Sequence, residues 1–322
     1  MQRRSQAQFW AVVLIVLGVI FLLVNLIPNA WSLVCPLALI GAGLFLLLGR
    51  NIAAFSASEV KTDRFTAPLA GTTSAQVELG LSVGESHIHA LSDAGNLIDA
   101  NLTYIGAIDF TVTGEAEKSV CLRQKWDDFL RWLNPANWFR SPVRLRWDIG
   151  LSPHVPMTLA VSGGTGNVQL DLRELNLSDF HLSGGTGRVY AALPGSSAGY
   201  TAQIAGGTGN LNVEIPDGAS VGLSLSGGTG AVRLNIGADA AVNAHLTGGT
   251  GLTTLDLPRD AAVHLSARTG VGSITVPPHF VRLTGGEHVV GQSGVWETPN
   301  FGEAARPISI EFTGGVGGLV VH

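Results

Sequence analysis

Between Val168 and Leu257 one pattern of apolar and polar positions repeats along the chain. Aligned on Thr165, Thr186, Thr208, Thr229 and Thr250, the third residue on is Val168, Val189, Leu211, Val232 and Thr253. The fifth is Leu170, Ala191, Val213, Leu234 and Leu255, and the seventh is Leu172, Leu193, Ile215, Ile236 and Leu257. Mostly polar residues stand between them, Gln169, Asn212 and Arg233 among them. Alternation of period two predicts a strand with one buried face. A turn follows, with Pro194, Pro216 and Pro258 in register. A second alternating strand, Val242, Ala244 and Leu246 in one copy, then leads to the next repeat.

Each repeat carries the phrase Gly-Gly-Thr-Gly, and its threonines recur at a nearly constant step. That period predicts an all-β fold, a repetitive β-solenoid with about 21-residue coils of two short strands and two turns. An antiparallel hairpin array has the same strand count, but identical residues in register stack best coil upon coil. The threonines are then expected in one line along a corner. Positive φ is expected at the motif glycines, Gly207 among them. A coil buries about seven apolar side chains, too few to offset the backbone entropy of about twenty residues, so coils must share a core.

Functional readings of the motif fit less well than a turn. A phosphate loop would open a helix and add a lysine, whereas each copy leads into a strand. In a calcium β-roll repeat an aspartate would stand where Val168, Val189, Leu211 and Val232 do, and these cannot ligate a hard cation. One threonine per coil at a corner is thin support for an ice-binding face.

The pattern changes at both ends. Residues 9–27 and 31–49 are two apolar runs interrupted only by Asn25 and Ser32. Each is about 28 Å long as a helix, one hydrocarbon core, so residues 1–50 are expected to form a two-helix transmembrane hairpin turning at Pro28-Asn29-Ala30. A cleaved signal peptide after Arg3 and Arg4 would leave the second run unexplained. With Arg3 and Arg4 on one flank, Arg50, Lys61 and Arg64 on the other, and no Lys or Arg in the turn, the β-region is expected in the cytoplasm.

Residues 51–74 read as a polar linker and 75–118 as first, degenerate β-coils. Residues 119–148 break the pattern and hold four of the seven tryptophans, Trp126, Trp132, Trp138 and Trp147, among six arginines and lysines from Arg123 to Arg146. That composition suits a cap over the open solenoid end or a membrane interface. The repeats occupy 149–275, and 276–322 read as an irregular capping excursion around Trp296 followed by final strands. The last phrase, Gly314-Gly315-Val316-Gly317, has Val316 where Thr stood.

A formal charge of −5 gives no nucleic-acid footprint, and Cys35 and Cys121 are too few for a disulfide framework. His87 and His89 share one strand face at a spacing that could hold a metal, but no third ligand is visible nearby, so a solvated face is the reading. His181 and His245 read as surface residues. No catalytic, cofactor-binding or metal-ligating residues are assigned, and no cofactor.

The apolar hairpin from Phe9 to Arg50, with Trp10 and Trp31, resembles the transmembrane module of LiaF-type bacterial membrane proteins. The stretch Ala75–Thr103, notably Val77-Glu78-Leu79-Gly80-Leu81-Ser82-Val83-Gly84-Glu85, is similar to the start of their toast-rack β-domain. Trp147-Asp148-Ile149, Val155-Pro156-Met157 and Leu170-Asp171-Leu172 continue the likeness. Ile308-Ser309-Ile310-Glu311-Phe312 is similar to the end of those domains and of putative-adhesin β-solenoids. The resemblance implies a non-enzymatic protein of the bacterial cell envelope whose partners are the lipid bilayer and a sensor histidine kinase under envelope stress. The alternative is a structural or adhesin-like solenoid that self-associates or acts at the cell surface.

Overall fold

The computed structural model describes residues 60–125, 145–287 and 291–322. The expected transmembrane helices, and Trp126, Trp132 and Trp138, lie outside them. Among the described residues no helix is long and apolar enough to cross a membrane.

Strands account for nearly all of the order. The first six are β1 (Val60–Pro68), β2 (Ser74–Gly80), β3 (Glu85–Ala90), β4 (Asn96–Ile105), β5 (Ile108–Thr113) and β6 (Glu117–Gln124). After residues 126–144 come β7 (Arg146–Leu151), β8 (Met157–Ser162), β9 (Val168–Asp171), β10 (Leu177–Ser183) and β11 (Val189–Ala192). The regular repeat continues through β12 (Tyr200–Ala205), β13 (Leu211–Ile215), β14 (Ser220–Ser226), β15 (Val232–Ile236), β16 (Ala241–Thr247) and β17 (Thr253–Asp256). The chain closes with β18 (Val263–Val271), β19 (Ile274–Thr275), β20 (Val281–Glu287), β21 (Gln292–Glu297), β22 (Ile308–Val316) and β23 (Leu319–Val321).

These strands form two sheets, one on each face of a solenoid. Strands β9, β11, β13, β15 and β17 lie parallel in one sheet, and β8, β10, β12, β14 and β16 lie parallel in the other. One coil, β13 with β14, buries Leu211, Val213, Ile215, Ala219, Val221, Leu223 and Leu225 between the sheets. The alternation read from the sequence is therefore the inward row of each strand. Parallel bridges run Val83–Thr165–Thr186–Thr208–Thr229–Thr250–Val316, the expected line of threonines along one corner.

At the first two glycines of the motif the reason for glycine differs from the one expected. Gly207 is not among the positive-φ residues; the fourth motif position is, with Gly209 at φ 132°. A Cβ on Gly207 would instead collide with the carbonyl oxygen of Gly185 on the preceding coil. The coils approach backbone to backbone here, and only glycine leaves room. The threonine side chains point into solvent. Thr208→Val is thus expected to change stability by less than about 0.5 kcal/mol, a negligible shift of the melting midpoint.

Stacking order departs from chain order at both ends. β22 lies between β16 and β18, and β23 between β17 and β19, so the final coil inserts inside the coil that precedes it in sequence. At the other end β2 and β3 stack directly on β8 and β9, while β6 and β7 form the coil outside them. Local pattern does not record this, because every coil offers the same apolar ridge and the same ladder edge to any other.

Three segments need correction. Val60–Pro68, read as linker, is strand β1; it pairs antiparallel with β4 and exposes both faces over most of its length, so no apolar row betrays it. Glu117–Gln124 and Arg146–Leu151 are strands β6 and β7, so the break in pattern is narrower than 119–148. Trp147 is 1% exposed in the core between β3 and β4, and is neither cap surface nor membrane belt. The stretch read as an irregular excursion after residue 276 holds the antiparallel pair β20–β21 against β18, with Trp296 packed inward.

Candidate functional site

The two outer faces of the solenoid carry different chemistry. On the face of β9 to β17 the outward residues include Asp171, Glu214, Arg233 and Asp256. Arg173 grips Asp171 at 2.8 and 2.7 Å, and these bonds hold the carboxyl of Asp171 below the usual carboxylate range. Arg64 does the same for Asp99 at 2.8 and 2.5 Å. Tyr190 donates to Glu214 on the next coil. Such pairs at the surface add little stability, because water screens the charges and ordering two side chains costs entropy.

The opposite face is mostly uncharged over its middle coils. Rows run Ser162–Ser183–Ala205–Ser226–Thr247 and Thr201–Gly222–Asn243, with Gln203 and Ser224 between. Two histidines flank this patch. His181 lies 2.7 Å from Asp179, and His245 lies 3.0 Å from Glu311, both at the surface as expected.

A third set of chemically active residues gathers near the N-terminal end. β3 places His87 and His89 on one outward face, and β7 runs parallel to it with Asp148 opposite His87. His87 Nδ1 is 3.0 Å from Asp148 Oδ1. The two imidazoles meet edge-on, with ring centroids 4.9 Å apart. Burial lowers the pKa of His89, and the neighbouring His87 lowers it further. One ligand atom from each of His87, His89 and Asp148 lies within 4.8 Å of the others.

The two histidines are visible in the sequence but the third donor is not, because Asp148 stands far beyond His89 along the chain. Only the pairing of β3 with β7 joins them. The phrase Trp147-Asp148-Ile149 held the usable signal: its Trp and Ile face the core, which turns Asp148 outward on the same pleat.

Residues 56–214 match the family model described as the N-terminal domain of toast_rack, DUF2154. The domain is toast-rack-like. No curated protein matches the chain. Among solved structures, the toast-rack-like chain is similar to a putative cell adhesion protein from Clostridium sporogenes ATCC 15579. Identity is 18%, over 82% of this chain and 99% of that one, at a TM-score of 0.36. A putative adhesin from Bacteroides fragilis NCTC 9343 is 13% identical over 81% of this chain and 97% of that one, also at 0.36. One from Parabacteroides distasonis ATCC 8503 is 10% identical over 82% and 98%, at 0.28. Scores this low carry nothing of those proteins' role over to the toast-rack-like domain.

Proposed function

We propose that this chain is a non-enzymatic, membrane-anchored scaffold whose toast-rack-like solenoid binds a protein partner through its side rather than its ends. The observation that carries this reading is how the stack terminates. β1 and β4 close one sheet antiparallel at the N-terminal end, β5 closes the other, and β21 with β20 close it at the C-terminal end. The fourth edge, β19, is two residues long and runs into Pro277 and Pro278, which have no N–H to offer. A second copy therefore meets no parallel coil edge to extend, which argues against end-to-end filaments. Among the described residues, Gln203 and Ser224 on one long side are exposed.

A regular repeat also supports binding over catalysis, since it sets rows of like residues side by side rather than the unlike groups a reaction needs. The uncharged face around Gln203 and Ser224 suits docking: interface centres are depleted of charge, and short side chains lose little entropy when covered. The apolar hairpin expected at residues 9–49 would tether the domain to a bilayer, and a LiaF-type role would make a sensor histidine kinase the partner under envelope stress.

Pull-down of the full chain from native membranes tests the side-on reading. Ser224→Arg is expected to lose the captured kinase at least about tenfold, while Asn212→Arg on the opposite face retains it. Equal capture by both variants would overturn the assignment of the face. Topology is a separate test, with a single cysteine at Ser224 and both Cys35 and Cys121 replaced. The charge flanks predict no labelling of intact cells by a membrane-impermeant thiol reagent, and full labelling after lysis. Labelling of intact cells would put the domain outside and favour a surface adhesin.

A further inference from the structure

We propose that His87, His89 and Asp148 form a binding site for one zinc ion on the outer face of the solenoid. The donor set is the reason for the metal. Two imidazole nitrogens and one carboxylate suit zinc, whereas calcium and magnesium require oxygen ligands throughout. The site goes beyond partner binding and does not depend on it.

Geometry places the three groups close to what coordination needs. Ligand atoms around a tetrahedral zinc, with bonds of about 2.0–2.2 Å, stand roughly 3.3 Å apart. His87 Nδ1 and Asp148 Oδ1 are already 3.0 Å apart, and the full set lies within 4.8 Å. His87 and Asp148 are about a third exposed, at 34% and 36%, which leaves their side chains room to rotate toward a shared ion. The strands fix the rest: His87 and His89 are two apart on β3, and Asp148 stands beside His87 on β7.

The surroundings distinguish this cluster from an ordinary histidine–carboxylate pair. The domain has other such pairs, His181–Asp179, His245–Glu311 and His264–Glu297. Among the described residues, only the group with His87 brings three donors together. His89 Nδ1 is buried and makes no hydrogen bond, a polar atom left without a partner. Opposite His89 on β7 stands Gly150, and its lack of a side chain gives the ring its space: a Cβ there would clash with Leu91 and press to 3.3 Å from His89 Cε1. Asp171 is held by Arg173, and so is not spare as a fourth ligand. Among the described residues, Arg146 is paired with Asp148 at 4.0 Å, with its side chain 61% exposed and free to swing away. Three protein ligands leave one coordination position for water or for a donor from a partner.

The test is a zinc titration of the detergent-solubilised full chain, after chelator treatment, in competition with a chromogenic chelator. One ion per chain is expected to bind at the site, and the paired substitution His87→Ala with His89→Ala is expected to abolish that event. Asp148→Asn should weaken it at least about tenfold. Comparing wild type with the double variant subtracts zinc taken by the remaining histidines. Because Asp148 is about a third exposed, metal-free Asp148→Asn should melt with wild type, and zinc should raise the melting midpoint of wild type more than that of either variant. If a variant misfolds, cobalt loading of the unaltered protein decides, through a visible ligand-field band that zinc displaces at one equivalent. Equal zinc affinity and stoichiometry in wild type and double variant, or no cobalt band, would overturn the site.

Discussion

Gly209→Val is expected to destabilise the β-domain by about 3 kcal/mol or more, by combining two separate penalties. Gly209 has φ 132°, a conformation open to glycine and strained for a β-branched residue. Its Cβ would also collide with the carbonyl oxygen of Gly187 on the neighbouring coil. Neither conflict has a side-chain escape, because the obstacle is backbone held in the ladder by Gly187 N–H donating to Thr208 O at 2.8 Å. Gly207→Val meets only the second conflict and is expected to cost about 1–3 kcal/mol. Thermal unfolding of the full chain, followed by the β-sheet circular dichroism signal, should rank Gly209→Val below Gly207→Val, with Thr208→Val near wild type. A Thr208→Val variant that melts lowest would mean that the threonine line, rather than the close backbone approach, holds the corner.

Trp147→Ala is expected to cost about 3–5 kcal/mol, the range for emptying a large aromatic site in a packed core. Trp147 is 1% exposed, with Ile149 and Leu102 buried beside it on β7 and β4. The strand it occupies is the outer coil at the N-terminal end, so the cavity would loosen β3, β4 and β7 together. Melting of Trp147→Ala and amide exchange in β4 should both report the loss. A variant that melts like wild type but binds membranes less well would restore the interface role that the Trp/Arg composition suggests.

The coils from β9 to β17 were legible because their information is local. Period-two alternation marks the buried row, and the near-constant recurrence of Gly-Gly-Thr-Gly marks the stack, so Leu170, Val213 and Leu234 could be placed in the core from sequence alone. The line of threonines followed from the same register. Which glycine takes positive φ did not, because all three motif glycines look alike in sequence while only the fourth position turns the chain.

Tertiary structure decided the ends and the site. Strand β1 has no buried row to read, since an edge strand with Lys61, Thr62, Asp63 and Arg64 exposed needs only ladder hydrogen bonds to exist. The insertion of β22 between β16 and β18 is likewise invisible, because coils with the same repeat are interchangeable neighbours. His87 and His89 could be put on one face by counting along the strand, but Asp148 joins them only because β7 returns, after three intervening strands, to lie beside β3. Sequence determined what each coil looks like, through alternation that acts within a few residues. The order of the coils, and with it the meeting of two imidazoles and a carboxylate, depended on hydrogen bonds between distant strands, which only the folded chain brings together.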